Sequence, residues 1–225
     1  TGYGALIDAG QSAARHKPSP QEQETQLARR DDERRYLKMR QKETEMLAIE
    51  TEDQAFYAPK QISELEDVTA RLPDATFLAG GTDIGLWVTK QHRQINRFIY
   101  LGAVDALKSI TRDDTSIHIG AAVSHAEAMD ALTEDYPGLG EVWQRFGSAQ
   151  VRYSGTVVGN IANGSPIGDI SPCFLALGAE LTLNHAGQKR RLSLDDFFIS
   201  YGKQDRKQGE FIESITVPRL GVHET

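Results

Sequence analysis

Twice along this chain an apolar segment is broken by glycine, at points where the backbone itself must be what the fold uses. In FLAGGTDIGLWV, Phe77 to Val88, three apolar or small residues run into Gly80 and Gly81, then Thr82 and Asp83, then a second apolar run. In VRYSGTVVGNIANGSPIGDISP, Val151 to Pro172, glycines, asparagines, prolines and serines interrupt an otherwise apolar element. Glycine lacks Cβ and tolerates positive φ, so both stretches can turn sharply or bring main chain close to a ligand. The first fits either an anion cradle or a strand-to-helix turn capped by Thr82. The second is too elaborate for a simple turn. Its backbone N–H groups can converge on one anion, with Thr, Ser and Asn side chains as neutral donors. Asp169 stands apart, because a carboxylate repels phosphate but accepts hydrogen bonds from two hydroxyls, which suits a sugar diol. Together the stretches point to a nucleotide-like ligand held by two loops. Neither is a standard motif: GGTD lacks the GxGxxG spacing, and no Lys follows the glycines as a P-loop requires.

Around these loops helix and strand periodicities alternate. APKQISELEDVTARL places Ile62, Leu65 and Val68 at helical spacing; ATFLA and RFIYL are short strand patterns, and DIGLWVTKQ between them is helical or turn-like. SIHIGAAV, AELTLN and EFIESITVP are further strand patterns, HAEAMDAL and DISPCFLAL helical ones, and no internal repeat is present. An α+β or α/β core follows. From Pro18 to about Asp53 the chain is dense in Gln and in charges of both signs and has no glycine, which reads as a solvated, partly disordered connector; Asp31 and Arg35, four apart, allow some helix. The expected division is residues 1–17, a charged linker over 18–55, and a folded body over 56–225.

A hydrophobic content of 39% over 225 residues is enough for a real core. The net charge of −7 and pI near 5.4 argue against a nucleic-acid surface and favour small molecules or protein partners. No apolar run approaches the ~20 residues that span a bilayer, and the N-terminus lacks the order of a secretory signal; a cytoplasmic protein is expected, with no membrane partner. The lone Cys173 allows neither an internal disulfide nor a cysteine-rich metal site, and is expected as a small core residue. The six histidines show no metal-ligand spacing and are expected to be structural or exposed.

AGGTDIGLWVTKQ together with QVRYSGTVVGNIANGSPIGDISPCFLALGAEL closely resembles the FAD-binding segment of the molybdenum hydroxylases, over about residues 57 to 220, and the NGSPIGD form is most similar to that of bacterial xanthine dehydrogenase small subunits. The resemblance implies an α+β, two-lobed flavin domain of the vanillyl-alcohol-oxidase-like type, with FAD between the lobes. It implies that Leu78, Ala79, Gly80, Gly81, Thr82 and Asp83 form a first loop whose main-chain N–H groups hold the FAD pyrophosphate, with Ile84 beside it. Phe146 falls where an aromatic lies against the flavin, with core packing as the alternative. Thr156, Gly159 and Asn160 fall at second-loop contacts, Asp169 at the acidic position near FAD, and Ser165 and Gly168 match the motif. One departure is Val158: the second loop commonly reads TxGGN, here TVVGN, so φ there must suit a β-branched residue. TGYGALIDAG resembles the sequence that follows the CxC pair ligating a [2Fe-2S] cluster, which makes residues 1–17 a remnant helix of a cluster domain. ESITVPRLGVHET resembles the join to a final subdomain. The implied activity is electron transfer within a hetero-oligomer: a large subunit carrying the molybdenum cofactor hydroxylates a purine, [2Fe-2S] clusters relay electrons, and FAD passes a hydride to NAD. No acid, base or nucleophile is nominated in this chain. The alternatives are the flavin subunit of another molybdenum hydroxylase, acting on aldehydes, CO or heterocycles, or a non-catalytic assembly module.

Overall fold

The computed structural model describes residues 2–200 and 203–219, in two compact units, residues 1–44 and 45–225. The first unit holds two helices, α1 (Gly2–Arg15) and α2 (Pro20–Gln41). The charged segment is therefore helical where a partly disordered connector was expected. Its start is a capping box: the Ser19 N–H donates to the Glu22 carboxylate at 2.7 Å and the Glu22 N–H to the Ser19 hydroxyl at 3.3 Å, with Pro20 in the first turn. Gln, Glu, Lys, Arg and Leu favour helix and no glycine breaks the run. Arg29 pairs with Glu33, and the acidic pair Asp31 and Asp32 meets Arg34 and Arg35 one turn on rather than in the Asp31–Arg35 pairing. Such exposed pairs contribute only about 0.2–0.5 kcal/mol each.

The second unit opens inside the stretch expected to be linker, with β1 (Leu47–Glu50) paired antiparallel to β2 (Ala55–Ala58). Then come α3 (Ile62–Arg71), β3 (Thr76–Leu78), α4 (Ile84–Thr89) and β4 (Arg97–Tyr100). The sheet order is β1-β2-β4-β3, with β4 parallel to both neighbours. Helix α3 buries Leu65 and Val68, the positions its spacing predicts. A second sheet of five antiparallel strands, β5-β6-β11-β7-β8, is built from β5 (Ile110–Arg112), β6 (Ser116–Gly120), β7 (Glu180–His185), β8 (Gln188–Ser193) and β11 (Phe211–Pro218). Alternation puts Ile117 and Ile119, Leu181 and Leu183, and Ile215 and Val217 on the buried face. Between β6 and β7 lie α5 (His125–Asp135), α6 (Leu139–Arg145), α7 (Ala149–Ser154), α8 (Val157–Asn163) and α9 (Ile170–Ala176). After β8, α10 (Leu194–Phe197), β9 (Phe198–Ser200) and β10 (Lys203–Gln204) lead into β11.

Trp143, Phe174, Phe197 and Phe211 are the largest fully buried side chains, and Trp143 meets Phe174 edge-on at 6.2 Å. Ile170 and Phe174 take the buried face of α9. Cys173, expected in the core, is instead half-buried on that helix, its thiol donating to the Asp169 carbonyl at 3.4 Å. In the expected C-terminal join, ESITVP belongs to β11, whereas residues 220–225 lie outside the described residues. No described helix is long and apolar enough to cross a membrane.

Candidate functional site

The two glycine stretches meet. A Cβ built on Gly80 would lie 1.9 Å from the Ser154 carbonyl oxygen and 2.7 Å from Gly155 Cα, so the first loop runs directly against the backbone of the second. Gly81 has φ +72, the left-handed region that favours glycine. The adjacent glycines thus answer two different demands: Gly80 permits contact between the loops and Gly81 permits the turn. A Cβ on Gly155 would lie 3.3 Å from Thr82 Oγ1, and one on Gly159 4.0 Å from Ala79 Cβ, which extends the same contact.

That junction lines a cavity of ≈ 790 Å³. Of the residues nominated from sequence it brings together Ala79, Gly80, Gly81, Thr82, Asp83, Ile84, Phe146, Thr156, Gly159 and Asn160. Leu78, Ser165 and Asp169 lie outside its lining. Leu78 ends β3, half-buried, with Cδ1 beneath Gly81; Ser165 and Asp169 belong to the turn between α8 and α9, where Asp169 is exposed. That turn backs the cavity wall, because a Cβ on Gly168 would lie 3.9 Å from Asn160 Oδ1.

The donor set is mostly backbone. The N–H groups of Gly80, Gly81, Thr82, Asp83 and Ile84 find no acceptor among the described residues, while the Gly81 and Asp83 carbonyls accept from Gly85, Leu86 and Trp87 at the start of α4. Such a run of unpaired N–H groups ahead of α4 is available to donate to an anion without adding charge. On the second loop, the Thr156 hydroxyl caps α8 by accepting from the Gly159 N–H at 3.1 Å. Val158, the departure from the family pattern, is a buried helical residue of α8 without positive φ, so its branched side chain is accommodated. Asn160 Oδ1 is buried and has no hydrogen-bond partner.

Two contributors were missed from sequence. His125, counted there among structural or exposed histidines, is 2% exposed and lines the cavity, its ring 4.6 Å from that of Phe146 and its Nδ1 buried without a partner. Desolvation lowers its pKa to about 4, so the imidazole is neutral near pH 7. Its signal was the capping box formed by Ser124 and Glu127, which makes His125 the first residue of α5. The second contributor is the segment Arg206, Lys207 and Gln208, which forms a third wall. It is anchored by Gln204 Nε2 donating to the Ala162 carbonyl at 2.6 Å and by the Gly209 N–H donating to Pro73 at 3.2 Å. No local pattern in the sequence marks it, because both anchors are distant along the chain.

The family model for the FAD binding domain in molybdopterin dehydrogenase matches residues 49–220. The chain belongs to that family. The matching region of this FAD-binding domain starts within β1, in line with where the second unit begins. Xanthine dehydrogenase/oxidase of Rattus norvegicus is 28% identical over 194 residues, 81% of this chain and 15% of the rat protein. Xanthine dehydrogenase 2 of Arabidopsis thaliana is 27% identical over 72% of this chain and 13% of its own length, so the chain spans a small part of the curated relatives it matches. Among solved structures, a carbon monoxide dehydrogenase from Hydrogenophaga pseudoflava superposes with a TM-score of 0.70 at 25% identity, covering 77% of this chain and 61% of that one. FAD is the cofactor of such a domain, and the site fits it: a neutral N–H cradle suits a diphosphate, and the unpaired Asn160 Oδ1 offers an acceptor to a donor on the ligand.

Proposed function

We propose that this chain is the flavin-holding electron-transfer part of a xanthine dehydrogenase-like molybdenum hydroxylase. The observation that carries the reading is the cavity where GGTD and GTVVGN meet, with its run of unpaired N–H groups. In this reading Gly80 to Ile84 hold the pyrophosphate, Thr156, Gly159 and Asn160 hold the cofactor from the second loop, Phe146 packs against the flavin, and Ser165 and Asp169 support the second loop from behind. Bound FAD would supply two-electron redox chemistry; the protein binds it, orients it and keeps water from it. No side chain here is assigned to transfer a proton. The electrons would come from [2Fe-2S] clusters and a large subunit carrying the molybdenum cofactor, with NAD as acceptor. The rat and plant relatives named xanthine dehydrogenase support the purine substrate.

A second reading, the flavin part of a hydroxylase for another substrate, is favoured by the similarity to carbon monoxide dehydrogenase and by the fold shared with quinoline 2-oxidoreductase from Pseudomonas putida 86 (TM-score 0.70, 22% identity). Anaerobic mixing of the assembled enzyme with xanthine, with CO and with quinoline separates the two. Bleaching of the oxidised flavin band by xanthine alone supports the first reading; bleaching by one of the others replaces it. Absence of flavin from the purified assembly would instead point to a non-catalytic module.

A further inference from the structure

We propose that Arg206 is a cationic contact for the diphosphate of FAD, added to the neutral cradle of the glycine loops. The inference rests on the FAD reading of this cavity and goes beyond the residues that the two loops supply. The Arg206 guanidinium stands 5.6 Å over the ring of Phe77, three residues before Gly80, and lines the same cavity. Its Nη1 donates to the Glu210 carbonyl at 2.9 Å, and among the described residues no carboxylate lies within ion-pair distance of it. The nearby carboxylates are engaged elsewhere. Glu210 accepts from Arg190 Nε at 2.7 Å, Arg190 Nη2 at 2.8 Å and the Lys207 N–H at 2.7 Å; Asp205 is also bonded to Arg190, and Asp74 to Arg97.

Desolvation by the surrounding protein lowers the Arg206 pKa, although the residue as a whole stays exposed. An arginine stays charged even so, and a partly desolvated charge gains by pairing with an anion. The cradle needs such a group. Its N–H groups are neutral, and Asp83 on the same wall adds a negative charge near any phosphate. A planar guanidinium is weakly hydrated and can bond two phosphate oxygens at once. The anchors at Gln204 and Gly209 hold its segment in place before any ligand arrives.

The test compares the chain with Arg206→Leu and Arg206→Lys by titration with FAD and with ADP, which carries a diphosphate but no flavin, at two salt concentrations. Thermal melts by circular dichroism check that the variants fold. Arg206→Leu should weaken both ligands by roughly 10- to 100-fold and flatten the salt dependence of affinity, with partial recovery in Arg206→Lys. Unchanged ADP affinity in a folded Arg206→Leu protein overturns the proposal. A shift confined to the flavin midpoint potential, with ADP binding intact, would place the contact at the flavin ring and overturn it equally. A parent chain that binds ADP but not FAD would refute the FAD reading itself, whereas a parent chain that binds neither would overturn both.

Discussion

Gly80→Ala is the sharpest perturbation of the junction between the loops. Its new Cβ would lie 1.9 Å from the Ser154 carbonyl oxygen and 2.7 Å from Gly155 Cα, both backbone atoms with no rotamer to yield. Ordinary contact needs about 3.5 Å, so the loops must part by roughly 1.6 Å. Overpacking of this kind costs about 1–3 kcal/mol, and for a domain of this size that corresponds to a fall in Tm of roughly 2–12 °C. The same parting displaces Thr82 from Gly155 and Ala79 from Gly159, so FAD affinity should fall with it, by at least about 10-fold for a loss of 1.4 kcal/mol. Gly81→Ala is the control. Its Cβ meets only Leu78 Cδ1 at 3.5 Å, and its cost is the left-handed backbone, about 1–2 kcal/mol, without a steric clash. Thermal melts and FAD fluorescence titrations of both variants are the assay. A Gly80→Ala protein with parental Tm and parental FAD affinity would refute the argument that the loops are held in contact through Gly80.

Other perturbations separate the remaining parts. Thr156→Ala should cost about 1 kcal/mol by removing the cap on α8, with Thr156→Ser retaining it, as denaturant unfolding would show. Val158→Gly, which restores the usual family residue, should destabilise the fold by about 2–4 kcal/mol because Val158 is buried and helical; a neutral or stabilising result contradicts that placement. His125 titrates near 6.5 when free and near 4 in the fold. Between those values the unfolded chain takes up the proton and the folded chain does not, so stability falls as pH drops from about 6.5 toward 4, by up to roughly 3 kcal/mol. Urea unfolding across that range should show a shallower slope in His125→Leu; identical slopes would mean that His125 is not buried in its neutral form.

What the sequence made legible was whatever a local rule governs. Apolar alternation marked β6, β7 and β11, helical spacing marked α3, and the glycine clusters marked both loops because backbone geometry there demands that residue. The identity of each demand was not legible: only the fold reveals that Gly80 answers to Ser154, 74 positions away. The helix at Pro20–Gln41 had a local signal, the capping box Ser19–Glu22, which its charge density obscured. The capping box of Ser124 and Glu127 marked His125 only as a helix start and Arg206 had no local signal, since their places in the cavity come from Phe146, Phe77 and the tether to Ala162, all set by tertiary packing. Cys173 was misplaced for a related reason: its neighbours are apolar in sequence, but the helical period gives the core to Ile170 and Phe174.

Amide hydrogen exchange with and without FAD tests the central claim most directly. The N–H groups of residues 80–84 lack acceptors among the described residues, so they should exchange rapidly in the ligand-free chain and become protected when FAD is added, together with residues 156–160 and 204–208. Protection confined to other segments, or none at residues 80–84 at saturating FAD, would contradict the assignment of this cavity to the cofactor.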